Sequence, residues 1–516
     1  MDLSDNSIHP LSETNLSPHF DPTAPIEIDT FDGKVHVQWD PDANVTPLGQ
    51  LPFFIQFLKL GKRFDPWVQE CPLNYQSNNA SSPRDILGSL FLSILSGHTR
   101  YAHICSLMHD SVNQQLLGMT KVVSDDTARR ALKNIDELAG MKWLQSHLFS
   151  CYEPLLTVPW ILDVDVTVKP LYGHQEAAVK GYNHHKPGRP CHTLHTYMIG
   201  NLRLILDVEV QAGNQGSSSH SLPGLIQLLD KLPLESRPKF IRGDCDWGTD
   251  TVMNELEQKQ YHYLFKMKKT DTVKALIARY HGGGQWTTFK EGWEAKEAEL
   301  KLSTWDETRR VVLVRRQLHK VKDLTIEHQR QGRLDLSFIG DAEDLKAFEY
   351  SVLVTNLNDE MISIVQHYRD RADCENNFDE LKNQWGWGGY TTKKVKSCRF
   401  ISRIMALVYN WWTLYVRLLH PENHLEAITS RPLLLSSVGR LTQSGRQKKL
   451  YMTSSHQLKG VAIRICNQAL CFLNQLKVTA PQLSISECWK AIIDKIIALI
   501  NVDLSSVKRK SVQYDP

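Results

Sequence analysis

The period of hydrophobic positions changes several times along the chain, and each change marks a boundary. The first 50 residues are polar apart from IEIDTFDGKVHVQW, whose alternation around Asp32-Gly33 predicts a hairpin. From about 83 to 150 the apolar residues fall at helical spacing. DILGSLFLSILSG predicts a buried helix, and SDDTARRALKNI predicts one capped by Ser124 with Asp125 and Asp126 in its first turn. At Trp160 the period drops to two. WILDVDVTV places Ile161, Asp163, Asp165 and Thr167 on one strand face and Leu162, Val164, Val166 and Val168 on the other. HTYMIGNLRLILDVEV predicts two strands around Gly200-Asn201. A helix at 222–232, the strand KFIRGD, a helix at 249–260 and the strand YHYLFKMKK follow. Residues 271–345 interrupt this order with β-type runs such as RRVVLVRRQL and with Trp286, Trp293 and Trp305. FEYSVLVTNL restores a core strand, MISIVQHYRDRADCENNFDELKNQ predicts one long helix, and from Lys393 onward the pattern is helical.

These elements predict an α/β chain whose mixed-sheet core is interrupted by a β-rich insertion and flanked by helical N- and C-terminal domains. The expected divisions are a partly disordered segment 1–50, a helical domain 51–154, core 155–270, insertion 271–345, core 346–410 and a basic helical domain 411–516.

With 41% hydrophobic and 23% charged residues, the composition is that of a globular protein. The most apolar run, 404–419, contains Asn410 and Arg417 and is short for a bilayer, so no membrane partner is expected. The ten cysteines form no CxxC pair and the N-terminus lacks a secretory pattern, which together predict a cytoplasmic protein. A net charge of +3 says little, but its distribution says more. Nine acidic residues and one basic residue, Lys34, precede residue 45. Between residues 427 and 488 the only acid is Glu487, against Arg431, Arg440, Arg446, Lys448, Lys449, Lys459, Arg464 and Lys477. So one-sided a stretch repels itself unless a polyanion neutralises it, and Arg446, Lys448 and Lys449 are candidate contacts to a DNA backbone. A solvated basic face is the alternative. The short basic helix with Arg129 and Arg130 fits a helix-turn-helix reader or an ordinary amphipathic helix.

Carboxylates facing a core are costly unless paired or bound to a metal, which singles out Asp163 and Asp165; a half-exposed strand with a wet face is the alternative. KFIRGDCDW runs an apolar strand into Asp244 and Asp246, where ligands of α/β sheets collect. In the long helix, Tyr368, Arg371, Glu375 and Lys382 are spaced so that, at roughly 100° per residue, they lie within about 60° of one another. An aromatic, two cations and a carboxylate in a row suit a metal ligand flanked by phosphate contacts, with a solvated ladder of ion pairs as the alternative. A last cluster, NHHKPGRPCHTLH, offers His184, His185, Cys191, His192 and His195 to zinc, in a spacing that fits no familiar motif. The interleaved Lys180, Lys186 and Arg189 favour a DNA-backbone contact loop instead.

YRDRADCENNFDELK resembles the Tyr-x2-Arg-x3-Glu-x6-Lys signature of bacterial insertion-sequence transposases of the Asp-Asp-Glu type. LDVDVTVKPLYGHQEAAVKGYN and IRGDCDW are similar to the blocks carrying the two aspartates, although Cys245, Asp246 and Trp247 depart from the small residue and aromatic expected after Asp244. Over residues 155–410 the resemblance implies an RNase H-like core, with Asp165, Asp244 and Glu375 as catalytic residues and metal ligands. The resemblance prefers Asp165 to Asp163, because the family's first aspartate is closely followed by a threonine, as Asp165 is by Thr167. It further implies two Mg²⁺ ions, with Mn²⁺ able to substitute, and double-stranded DNA as partner, both terminal inverted repeats and target. Tyr368, Arg371 and Lys382 would contact that DNA. A homodimer on paired ends, a nucleoid-associated location and hairpin-ended intermediates also follow, with Trp305 as the aromatic for a flipped base. Hard cations and carboxylate oxygens are suited to each other for phosphodiester transfer. The alternatives are a nuclease on the same core and a non-catalytic DNA-binding protein derived from a transposase.

Overall fold

The computed structural model describes residues 25–500 apart from residue 41 and segments 75–78, 184–185, 283–284, 319–347 and 454–458. The expected N-terminal hairpin forms as β1 (Ile26–Thr30) and β2 (Gly33–Val37), with Gly33 at φ +108°, and β3 (Val45–Thr46) follows. The disorder expected before residue 25 lies outside the described residues.

One mixed sheet of ten strands organises the molecule. Its members are β4 (Ile161–Pro170), β5 (Val179–Lys180), β6 (Pro190–Ile199), β7 (Leu204–Ala212), β8 (Phe240–Gly243), β9 (Tyr263–Lys266), β10 (Thr287–Lys290), β11 (Trp293–Leu300), β12 (Arg309–Gln317) and β13 (Phe348–Thr355). The order is β10-β11-β12-β13-β9-β8-β4-β6-β5, with β7 also pairing with β6. β4, β8 and β9 run parallel to one another, and the remaining pairings are antiparallel. The described residues of 271–345 therefore do not stand apart from the core. They open with a helix, Asp271–His281, and then β10, β11 and β12 extend the central sheet through β13. The run Val311–Val314 is buried and pairs with Ser351–Val354, so its apolar residues are spent on the common sheet.

The helices before residue 155 and those after 394 pack around one element, the helix Val395–Leu419, which is buried on nearly all sides. That explains its membrane-like composition, and no helix among the described residues is long and apolar enough to cross a membrane. Its polar residues are accounted for. Asn410 accepts from the Ile205 amide (2.8 Å) and donates to the Ile205 carbonyl (2.7 Å), acting as a strand partner for the edge strand β7. Arg403 holds Asp207 through Nε (2.7 Å) and Nη2 (3.2 Å).

Two expectations are corrected. The C-terminal region is not helical throughout: β14 (Gly439–Ser444) and β15 (Gln447–Met452) form a hairpin turning at Gly445 (φ +58°), and β3 adds to its edge. The alternation of RLTQSGRQKKLYM, with glycine where a positive φ is needed, explains it. Likewise, the long helix after β13 is two helices, Met361–Arg369 and Ala372–Gln384. At the junction the Arg371 amide bonds the Tyr368 carbonyl (3.0 Å) and the Cys374 amide the Arg371 carbonyl (2.8 Å), which tightens the turn.

Candidate active site

Alternation puts Asp163 and Asp165 on one face of β4, as expected, yet their surroundings differ. Asp163 is fully buried and takes two hydrogen bonds from Arg242 of β8, from Nε (2.6 Å) and Nη2 (2.7 Å). Its oxygens are spent. Asp165 instead faces a cleft of about 440 Å³, lined also by Asp244, Cys245, Lys266, Trp293, Tyr368, Arg369, Arg371 and Glu375. One Asp165 oxygen accepts from the Val166 amide (2.7 Å) and the other from Arg371 Nη2 (2.5 Å).

Asp244 directly follows β8, whose four residues are all buried, at the carboxyl end of a parallel strand. Gly243 makes this turn possible: a Cβ there would lie 2.8 Å from the Trp247 ring, which folds back under the strand. An Asp244 oxygen accepts from the Asp246 amide (3.0 Å), while the Asp246 carboxylate turns away to Lys268 (2.6 Å). Glu375 lies one turn into the helix Ala372–Gln384, its side chain 71% exposed toward the cleft and 3.3 Å from Arg371 Nη1.

Burial raises the Asp165 carboxyl to about 6; Arg371 opposes the rise, whereas Asp244 and Glu375 add to it. Burial likewise raises Asp244, again against Arg371. Three carboxylates thus share a cleft in which Arg371 is the direct partner of two. As the side chains stand, no three His, Cys, Asp or Glu among the described residues are close enough to hold a metal ion, and the guanidinium lies between Asp165 and Glu375. The donor set itself, three carboxylates with raised or exposed charge, suits a hard divalent cation.

Tyr368, Arg371 and Glu375 therefore meet at one cleft despite the break between their helices. Lys382, two turns beyond Glu375, is outside the lining; burial lowers its ammonium, and Asp165 supports its charge. Trp305 is not brought to the cleft. It is buried in the core beneath Arg309, whose guanidinium lies 5.1 Å from the ring and pairs with Asp250 (2.8 Å) and Glu257 (2.9 Å). The tryptophan among the described cleft residues is Trp293, flanked by Arg369 (5.0 Å) and Arg316 (5.6 Å). Its signal was its place at the start of a strand just after Gly292, directly opposite Arg316 in the sheet; sequence alone does not show that pairing.

The remaining candidates lie elsewhere. Arg129 is half-buried and Arg130 exposed, and they pair with Asp125 (2.7 Å) and Asp126 of their own helix, Asp125–Asn134. Lys186 and Arg189 pack on the exposed Tyr172 ring, 4.9 and 4.8 Å from its centroid. Arg446, Lys448 and Lys449 ride the exposed hairpin β14–β15. The zinc alternative is not supported: His192 and His195 are buried in β6, His192 bonded to the Glu176 carbonyl (2.8 Å) and His195 to Ser221 and Thr193. Cys191 Sγ faces two backbone carbonyls, at 3.8 Å from each. His184 and His185 lie outside the described residues.

Compared with known proteins, the chain matches the family described as Transposase DDE domain group 1 over residues 67–475. Among solved structures it is similar to a piggyBac transposase synaptic complex with hairpin DNA, at 10% identity and a TM-score of 0.35, covering 91% of this chain and 88% of that one. No curated protein matches it.

Proposed function

This chain belongs to the DDE transposase family, Transposase DDE domain group 1, and on that premise we propose that it cuts the ends of a mobile element and joins them to target DNA at the cleft of Asp165, Asp244 and Glu375. One observation carries the reading. Carboxylates from the middle of β4, the end of β8 and the helix Ala372–Gln384 reach one cleft, and their mutual repulsion helps raise Asp165 to about 6. A site that strains to hold its negative charge is one that a divalent cation relieves. The run β7-β6-β4-β8-β9, antiparallel through β4 and parallel from β4 onward, supports reading the core as RNase H-like.

In this reading Asp165, Asp244 and Glu375 hold two Mg²⁺ ions, or Mn²⁺ in their place. The ions supply an activated nucleophile and a stabilised leaving oxygen. Arg371 offers its planar fork to the scissile phosphate, leaving the carboxylates to the metal as DNA arrives. Tyr368, whose hydroxyl is protonated at neutral pH and pushed further up by burial, would offer DNA a hydrogen bond at the cleft wall, and Lys382 adds a point charge. Trp293, between its two arginines, takes the stacking role expected of Trp305 for a flipped base in hairpin-ended intermediates. Arg446, Lys448, Lys449, Lys186 and Arg189 grip the backbone of the duplex, Arg129 and Arg130 belong to the helical end-recognition region, and two copies act on paired ends.

The test is incubation with Mg²⁺ and DNA bearing the inverted repeats that flank the coding sequence. Ends cut at the repeat boundary and joined to a target plasmid are expected. Cut ends that never join would make the protein a nuclease, and binding without cutting would make it a non-catalytic DNA-binding protein.

A further inference from the structure

The pair formed by Asp163 and Arg242 is fully buried, and a buried ion pair is weak evidence for stability, because its desolvation consumes most of what its attraction returns. Its position is more telling than its energy. Asp163 precedes Asp165 by two residues on the same face of β4, and Arg242 precedes Asp244 by two residues in β8. The strands are parallel neighbours with Asp163 directly opposite Arg242, so the pair crosses the sheet at the step just before both carboxylates. The third Arg242 contact runs out of the sheet: Nη1 donates to the carbonyl of His367, in the last turn of the helix Met361–Arg369. That carbonyl immediately precedes Tyr368 and stands one helical turn before Arg371.

The lid of the clamp is backbone. Gly200, in the turn between β6 and β7, lies so close that a Cβ there would meet Asp163 Oδ2 at 2.2 Å and Arg242 Nη2 at 3.1 Å. The Gly200 amide bonds the Ile161 carbonyl (2.9 Å), fixing the turn against the start of β4. His367 is secured from its other side by Asp359 (3.2 Å).

We propose that Asp163 and Arg242 are positioning residues: one guanidinium ties β4 and β8, which bring in Asp165 and Asp244, to the helix Met361–Arg369, which carries Tyr368 and leads into Arg371 and Glu375, and so sets the spacing of the cleft carboxylates. This rests on the reading of that cleft as the site of DNA cleavage. Asp163 is therefore no metal ligand, since both of its oxygens are held at hydrogen-bond distance by Arg242. A planar fork is needed for the task, because it must meet a carboxylate with two nitrogens and a carbonyl with the third.

Removing one partner alone would strand a buried charge and endanger folding, so the test replaces both. In the full-length double variant D163L/R242M the pair gives way to apolar side chains of similar volume, an exchange that buried ion pairs commonly tolerate. Arg242→Lys is the second variant, with the charge kept and the fork lost. Melting, end-DNA binding, single-turnover cleavage against Mg²⁺ concentration, and amide exchange are measured on each. We expect melting and DNA binding near wild type for D163L/R242M, with cleavage slowed about 100-fold, the scale of a roughly 1 Å misplacement. Half-saturation by Mg²⁺ should rise and Mn²⁺ should restore part of the rate, since Mg²⁺ demands near-ideal geometry. Arg242→Lys should fall between the two. Amide exchange should quicken in β4, β8 and the helix Met361–Arg369 together. Wild-type cleavage and Mg²⁺ dependence in a stably folded double variant would overturn the proposal, as would faster exchange confined to β8. If the wild-type protein cuts no DNA, the functional reading fails, and the exchange pattern still decides whether the three segments are clamped together.

Discussion

Around Asp163 the sheet is closed and electrically balanced, whereas two residues further along β4, around Asp165, it is open and carries excess negative charge. Both aspartates lie on one face and each meets an arginine. Arg242 serves Asp163 with two nitrogens; Arg371 reaches Asp165 with one and is drawn by the other toward Glu375, while Asp244 stands near without an ion pair among the described residues. A buried carboxylate is therefore not by itself a sign of chemistry. What separates a structural pair from a candidate active site is the count of charges and whether a cleft gives a ligand access.

The contrast breaks most visibly if the carboxylates are removed one at a time. Asp165→Ala, Asp244→Ala and Glu375→Ala should each abolish cleavage in a gel assay while end binding persists. Asp246→Ala, which removes a partner of Lys268 rather than a cleft carboxylate, should leave most of the activity. Near wild-type cutting by any of the first three would take that residue out of the site.

Arg371 comes next. If it grips a scissile phosphate, Arg371→Ala should slow single-turnover cleavage by about 30- to 1,000-fold, as removal of a bidentate charge-assisted hydrogen bond does, and Arg371→Lys should recover only part. An unchanged rate would reduce Arg371 to a counter-ion for Asp165.

A smaller effect concerns stability. The Asp165 carboxyl is raised in the folded protein to about 6, so folding favours its protonated form. That contribution is complete below the unfolded value near 3.8 and is lost as pH rises through about 6. Asp165→Asn should therefore melt about 1–3 °C above wild type at pH 7.5, with the gap closing toward pH 4. Mg²⁺ should raise the melting temperature of wild type and not of the variant. A variant less stable than wild type at pH 7.5 would mean that Arg371 outweighs the other carboxylates.

The smallest effect distinguishes the two basic regions. Arg129 and Arg130 are paired within their own helix, whereas Arg446, Lys448 and Lys449 have no ion pair among the described residues. Neutralising the hairpin trio should weaken binding to all sequences alike. It should also flatten the dependence of log K on log salt by up to about 0.9 for each phosphate that is no longer neutralised. Neutralising Arg129 and Arg130 should change that slope less. Equal slopes would mean the helix contacts DNA as strongly as the hairpin.

Much of this arrangement was legible because it is local. The period-two run of β4, the apolar strand ending at Asp244, and the spacing of Tyr368, Arg371 and Glu375 each lie within one segment. What was not legible depends on partners far apart in the chain. The role of Arg242 depends on Asp163, which stands opposite it in the parallel neighbouring strand. His192 and His195 look like metal ligands in a basic loop, and only the pairing of β6 between β4 and β7 shows them buried. Trp305 and Trp293 are indistinguishable until the stacking of Arg309 on one and the cleft beside the other are seen. The break at Asp370–Arg371 was not legible either, because the helical pattern of the sequence runs through it.

The central claim is that Asp165, Asp244 and Glu375 form one metal site. Its most direct test replaces Mg²⁺ with Fe²⁺ in the protein bound to end DNA, adds ascorbate and peroxide, and maps by mass spectrometry where hydroxyl radicals cut the backbone. The account predicts cuts clustered near residues 165, 244 and 375 at once, suppressed by excess Mg²⁺ and absent in Asp165→Asn. Cuts confined to the histidine-rich stretch 184–195, or an unchanged pattern in the variant, would contradict it.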